Sequence, residues 1–341
     1  MLKKKTIWVL QGVRIGDNAQ ARELASILEA EAKTIELKFN TLHHLPNVVL
    51  GASVVSLTTR SRSELQAPWP DIVIGTGKRM APVARWIKSQ SGGLTKIIHL
   101  GRPRAPLSAF DLVIATPQYG LPSDSNVITL NLPFASPCNV DTAELEKWRD
   151  AWHDLPKPLI AVAIGSAKYP LRFGPSEINA FATALNDLAR QTSGSLLLIA
   201  SPRTKPALAD KIAMLLTVPH RSYGVFDKTK NPYQAALSLG DKFVVTSDSV
   251  SMISELINSG KPVDVFELPA SRLWIRWSAK NGLAAWLSRN GLLQPPRDVS
   301  GMVRQLIENG SIGVLGTSSL SEPFQPVREE TMARLTAILK N

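Results

Sequence analysis

Apolar residues in the first 130 positions come in short runs separated by polar loops. Residues 6–10 form the first run and end in the polar stretch 11–18. Residues 19–32 then show helical spacing, with Leu24, Ile27 and Leu28 on one face. Further runs lie at 48–57 (broken by Gly51), 72–74, 97–100, 112–115 and 127–130. They are rich in Val and Ile and apolar on both faces, which predicts buried parallel strands. The pattern restarts with a strand at 159–164, a helix over 176–191 capped by Ser176, and a strand at 195–200. A helix at 206–216 and strands at 243–245 and 263–266 follow, the last two flanking a helix over 249–259 that stops at Gly260. Residues 139–158, acidic and Trp-bearing and ending in Leu155 to Pro158, read as a linker. This double alternation predicts an α/β protein of two Rossmann-like βαβ domains facing a cleft, 1–155 and 156–341. The last helix is expected to pack back on the first domain.

Composition narrows the class. A chain of 341 residues that is 44% apolar has enough material for two packed cores. No apolar run approaches the ~18 residues of a spanning helix, and the four apolar residues from Ile7 to Leu10 are too few for a signal-peptide core. The single cysteine, Cys138, excludes a disulfide framework and a cysteine-built zinc site. The expectation is a cytoplasmic protein.

The net charge of +11 is spread over both halves, yet it is dense between Val55 and Phe110, where nine basic residues face two acidic ones. Arg60, Arg62, Lys78, Arg79, Arg85, Lys88, Lys96, Arg102 and Arg104 make a basic surface suited to a phosphate ester or an anionic membrane. Nucleic acid is the weakest partner, because finger spacings, basic regions followed by heptads and aromatic RNA-binding signatures are all missing. A second membrane candidate is the stretch 272–289, where Trp274, Trp277 and Trp286 alternate with Arg272, Arg276, Lys280 and Arg289. The preferred expectation there is a helix packed on the second domain with its aromatics buried. The basic surface of the first domain is then the better contact for the inner face of a membrane, making the protein peripheral.

In parallel α/β sheets, ligands bind at the carboxyl ends of strands, where helix N-termini present unpaired N–H groups. After the first strand, Gly16 permits close backbone approach, Arg14 can pair with an anion, and Asp17 and Asn18 can cap the next helix or meet a hydroxyl. The loop of Gly75, Thr76, Gly77, Lys78 and Arg79 has the composition of a phosphate cradle, or equally of a solvated turn. In the second half, Gly165 and Ser166 close one strand, Ser201 to Thr204 brings Arg203 to the same rim, and Asn231 and Tyr233 precede a short helix. The stretch from Thr246 to Glu255 crowds five hydroxyls and a carboxylate into a strand-to-helix corner before Glu255. Ser249 and Ser251 there can bind a phosphate with the helix N–H groups. Glu255, one turn past Ser251, suits a ribose diol; the plain alternative is a capped helix with polar groups facing water. No dinucleotide fingerprint, P-loop, H-E-x-x-H, G-x-S-x-G or D-x-D occurs, and the histidines show no metal-ligand spacing. His99, at a strand end, reads as structural.

These loops follow one another in an order that resembles the mitochondrial-fission ELM-type family of plants and bacteria. The resemblance rests on Gln11-Gly…Gly-Asp-Asn-Ala-Gln20, the Gly75 to Arg79 loop, Ser201 to Thr204, Asn231 to Tyr233, and Thr246 to Glu255 followed by Gly260 to Val263. It spans about Trp8 to Pro295 and departs from the expected pattern at Ser166 and Pro202, in place of a second glycine and a second arginine.

The resemblance implies a GT-B glycosyltransferase-like protein using a nucleotide-diphosphate sugar as donor and no separate cofactor or metal. It implies that Glu255 holds the ribose, that Ser249, Ser251, Met252 and Arg203 line the diphosphate, and that Gly165 and Ser166 close over it. Asn231 and Tyr233 would shape the base pocket, and Asp17 would be the acceptor base. Arg14, Gly16, Thr76, Lys78 and Arg79 would face a glycan or lipid acceptor of the cell envelope. A non-catalytic GT-B-like scaffold that binds a protein or a membrane is the alternative.

Overall fold

The computed structural model describes residues 5–28, 31–135, 140–167, 169–224, 232–270, 282–293 and 296–317, with Ala333 and Leu335 near the end. Two compact units are present. The first is Met1–Ser136, Arg276–Asp298 and Val327–Asn341; the second is Pro137–Ile275 and Val299–Pro326.

In the first unit, β1 (Thr6–Gln11), β2 (Glu31–Glu36), β3 (Ile72–Thr76), β4 (Lys96–Leu100), β5 (Leu112–Ala115) and β6 (Val127–Thr129) form one parallel sheet. Its order is β2-β1-β3-β4-β5-β6. Period-two alternation divides the strand side chains between two cores. Ile7, Val9, Ile72, Ile74, Ile98, Leu112 and Ile128 pack with Ala21 and Leu24 of α1 (Ile15–Ile27), and Leu335 is buried in the same core. On the other face, Trp8, Leu10, Val73, Ile97 and Val113 pack with Val83, Ala84 and Ile87. Two short helices, α2 (Asn47–Leu50) and α3 (Thr59–Ser63), occupy the connection from β2 to β3, and α4 (Met80–Gln90) supplies those last three residues.

The second unit begins with α5 (Thr142–Ala151) and β7 (Leu159–Ile164), then α6 (Pro175–Thr192), β8 (Ser195–Ala200), α7 (Pro206–Met214) and β9 (His220–Tyr223). It continues through α8 (Tyr233–Leu239), β10 (Lys242–Thr246), α9 (Val250–Ile257) and β11 (Val263–Phe266). Helix α10 (Gly282–Arg289) belongs to the first unit, and α11 (Val299–Glu308) and β12 (Gly313–Val314) complete the second. The parallel order is β12-β11-β10-β7-β8-β9. Counted within the unit, this is the 3-2-1-4-5-6 arrangement of a Rossmann sheet. Phe181 and Leu185 of α6 fill its core against Ile160, Val162, Leu196, Leu198 and Val244.

Several elements differ from the sequence expectation. The run at 48–57 is no strand: Val48 and Val49 are exposed, and Pro46 and Gly51 bound the single helical turn between them. Strands β2 and β9 sit at sheet edges, and of the six residues of β2 only Ile35 is buried, so their periodicity is hidden. Helix α6 starts at Pro175 with Gly174 as its cap, whose N–H donates to Glu177 at 2.7 Å, in place of the predicted Ser176 cap. The stretch read as a linker contains α5. Its Trp148 and the following Trp152 lie 5.4 Å apart by ring centroid, and the Trp152 indole donates to the Tyr223 hydroxyl at 2.7 Å. These contacts place α5 with the second unit, whose chain begins at Pro137 rather than near 155. Helix α10, expected to pack on the second domain, is tied to the first unit by Arg289 and Asp124 at 2.8 Å, and Trp286 is 55% exposed. Trp274 and Trp277 lie outside the described residues.

Candidate functional site

Each sheet has one point where the strand order reverses, and in open α/β sheets ligands bind at the carboxyl ends beside it. In the second unit this point lies between β7 and β10, since β7 is followed spatially by β8 on one side and β10 on the other. The turn after β7 and the turn after β10 are joined there by a carboxylate. The Thr246 hydroxyl donates to one oxygen of Asp248 at 2.7 Å, and the Ala167 amide donates to the other at 2.8 Å. The Gly165 amide donates to Thr246 Oγ1 at 2.8 Å. A Cβ on Gly165 would sit 2.2 Å from an Asp248 oxygen, so only glycine leaves room for this seam. Ala167 is held at φ 42, a left-handed conformation that non-glycine residues adopt rarely.

Around the seam stand most of the residues singled out from the sequence. Ser249 is the buried N-cap residue of α9, and its side chain does not cap the helix. Ser251 lies in the first turn, half-buried, while Met252 is buried. Glu255, one turn on, accepts a hydrogen bond from the Tyr233 hydroxyl at 2.7 Å. Burial raises its carboxyl above the usual range, and the Tyr233 bond opposes that rise. Arg203 is exposed on the turn after β8. That turn is fixed by Thr204, whose hydroxyl donates to the Ile164 carbonyl at 2.7 Å and so ties it to the end of β7. Asn231 lies outside the described residues. Two amides of the Gly165 to Ala167 turn are satisfied inside the protein, which leaves Ser166 and the start of α9 as the polar rim.

In the first unit the reversal lies between β1 and β3. Asn18 does not cap α1. Its side-chain amide donates to the Gly12 carbonyl at 2.7 Å and accepts from the Gly12 amide at 3.0 Å, stapling the loop after β1. Gly16 is half-buried in the first turn of α1. Asp17 lies beside it, 3.8 Å from the Arg14 guanidinium, and its carbonyl accepts from Thr76 Oγ1 at 3.3 Å. Gly77 takes φ 73 to turn the chain away from β3, with Asp17 3.7 Å from where its Cβ would be. Lys78 donates to the His44 carbonyl at 3.0 Å, and Arg79 lies over the Phe39 ring at 5.7 Å. His99 is fully buried against Phe110, with neither ring nitrogen hydrogen-bonded, and has no part in the rim.

Asp248 and Arg297 have no stated role in the sequence reading, and Arg102 and Arg104 enter it only as members of the basic surface between Val55 and Phe110. Asp248 was inside the quoted corner; its position directly after the fourth strand of a Rossmann sheet was the available signal. Arg102 and Arg104 follow β4 immediately, and strand ends are where a parallel sheet places its ligand groups. Arg297 is remote in sequence and carried no signal.

Among the described residues, no group of three or more His, Cys, Asp or Glu side chains is arranged to hold a metal ion. Two Rossmann-like parallel-sheet units in one chain make a GT-B-like architecture. A solved glycosyltransferase structure from Rickettsia africae is similar in fold, with a TM-score of 0.52 at 12% identity, covering 99% of this chain and all of that one. The chain belongs to the family described as Mitochondrial fission ELM1, which it matches over residues 15–291. It is 31% identical over 246 residues to the Mitochondrial fission protein ELM1 of Arabidopsis thaliana, an alignment covering 64% of this chain and 56% of the plant protein. An uncharacterized Rickettsia prowazekii protein, RP120, is 26% identical over 302 residues, 77% of this chain and 83% of its own length.

Proposed function

We propose that this protein is a nucleotide-sugar-dependent glycosyltransferase acting on an envelope glycan or lipid acceptor at the cytoplasmic side of the membrane. The observation that carries the reading is the Tyr233–Glu255 pair one turn into α9, beside the point where a Rossmann sheet reverses its order. A half-buried carboxylate fixed by a phenol is suited to accept two hydrogen bonds from a ribose diol. The donor's diphosphate then meets the N-terminal amides of α9, the Ser249 and Ser251 hydroxyls and Arg203. Met252 backs this corner from the core, Gly165 and Ser166 close over it, and Tyr233 lines the pocket for the nucleobase.

In the transfer step the acceptor oxygen bonds to the anomeric carbon, the bond from that carbon to the diphosphate breaks, and Asp17 takes the hydroxyl proton. The negative charge that develops on the leaving diphosphate is stabilised by the helix end and by Arg203. Arg14, Gly16, Thr76, Lys78 and Arg79 engage the acceptor. A second reading, a non-catalytic scaffold, is favoured by one feature: Asp248 occupies an amide that a diphosphate would otherwise take.

Thermal denaturation of the full chain with a panel of nucleoside diphosphates separates the two. One nucleotide is expected to raise the melting temperature, and Glu255→Ala to abolish the rise. No shift with any nucleotide leaves the scaffold.

A further inference from the structure

The carboxyl end of the first sheet gathers more cations than its loops at β1 and β3 supply. Directly after β4, Gly101 turns at φ 77 and leads into Arg102, Pro103 and Arg104. The Arg102 guanidinium donates to the Tyr119 carbonyl, in the turn after β5. Arg297 lies over the ring of the same tyrosine at 4.7 Å, and the backbone N–H of its neighbour Asp298 donates to the Gln118 carbonyl at 2.9 Å. Asn47, only 2% exposed, clamps two of these loops: its amide donates to the Lys78 carbonyl and to the Pro103 carbonyl, both at 2.8 Å. Arg104 is held at φ 57, a left-handed conformation that a long side chain adopts only under constraint.

The crowding lowers the basicity of the groups themselves. Burial, then Arg104 and Arg297, push the Arg102 guanidinium down to about 10. Burial followed by Arg297 and Arg14 lowers Arg104, and burial followed by Arg104 and Arg79 lowers Lys78. Like charges held together on clamped loops destabilise the free protein and favour a multiply charged anion between them.

We propose that these loops of the first unit bind a phosphorylated group, a phosphomonoester or diphosphate, with Arg102, Arg104 and Arg297 as fork donors and Lys78 as a point charge. Calling that group part of the acceptor rests on the transferase reading above; the anion site itself does not. Guanidinium groups match phosphate oxygens in pairs, which flexible lysines do not. A membrane surface, by contrast, is held by mobile basic segments. Here the arginines are oriented by a carbonyl, an aromatic ring and a strained backbone, as a defined small anion requires.

Inorganic pyrophosphate, titrated calorimetrically into the full chain at low ionic strength, tests this. Saturable binding is expected, weakened about tenfold by Arg297→Ala and by Arg104→Gly. Arg104→Gly should keep or raise the melting temperature, because glycine adopts φ 57 without strain, so lost binding cannot be ascribed to unfolding. Glu255→Ala should leave this pyrophosphate binding intact even if no nucleoside diphosphate binds, which separates the two proposals. Absence of pyrophosphate binding overturns the site, as does equal binding by wild type and both variants. Sedimentation with phosphatidylglycerol vesicles that depends on Arg104 and Arg297, and that pyrophosphate does not compete away, overturns it in favour of a membrane surface.

Discussion

His99 shows how burial alone sets the chemistry of a residue. It is fully enclosed at the end of β4, both ring nitrogens lack partners, and desolvation lowers its pKa from 6.5 to about 3. The folded protein therefore holds it neutral, while the unfolded chain protonates it below pH 6.5. Its contribution to stability is complete above pH 6.5 and is lost as the pH falls from there towards 3. At pH 5 the loss amounts to about 2 kcal/mol. Urea unfolding at pH 7 and pH 5 should show that drop in the wild type and a smaller one in His99→Leu. An equal drop in both proteins would place the acid sensitivity elsewhere. At Glu255 burial again disfavours the ionised form, but there that form is the base, so the loss grows as the pH rises through the raised carboxyl range. Retaining a carboxylate there against that cost is more natural for a ligand contact than for a packing role.

At the scale of elements, the informative object is the seam between the ends of β7 and β10. Gly165 gives it space and Asp248 closes it with bonds to Thr246 and Ala167. Gly165→Ala is expected to displace the Asp248 carboxylate and to cost about 2–4 kcal/mol in denaturant unfolding. Asp248→Ala removes the atoms that the new methyl group would meet. The double variant should therefore be markedly less destabilised than the sum of the single changes; additive losses would contradict the seam.

The buried elements of this region were legible beforehand. Strands β7 and β8 match the apolar runs at 159–164 and 195–200, because both faces of each are covered and the signal is continuous. Edge strands β2 and β9 were not legible, since solvent-facing residues carry no period. Helix α1 begins four residues before the first predicted position, because its first turn carries only Ile15 as an apolar residue and follows no apolar spacing. The grouping of hydroxyls near α9 could be read as a corner; the bond from Tyr233 to Glu255 joins residues 22 apart and needed the fold.

Over the whole molecule, two units with different sheet orders place a polar rim at the carboxyl ends of their strands. One rim is built on a carboxylate and hydroxyls, the other on arginines and a lysine. The net charge of +11 gains meaning from this division, because its clamped share lies on the first unit's rim rather than on a tail. Family membership was legible from the order of the loop motifs, whereas Arg297, brought to the first unit by the segment Arg276–Asp298, was not.

The central claim is that the second unit's rim holds a nucleoside diphosphate. Amide hydrogen exchange of the full chain, with and without the nucleotide that most raises its melting temperature, addresses it directly. The account predicts slowed exchange in the turns at 165–167 and 201–204 and across 247–255. Slowing confined to the first unit, or none in these three segments under any nucleotide, would contradict it.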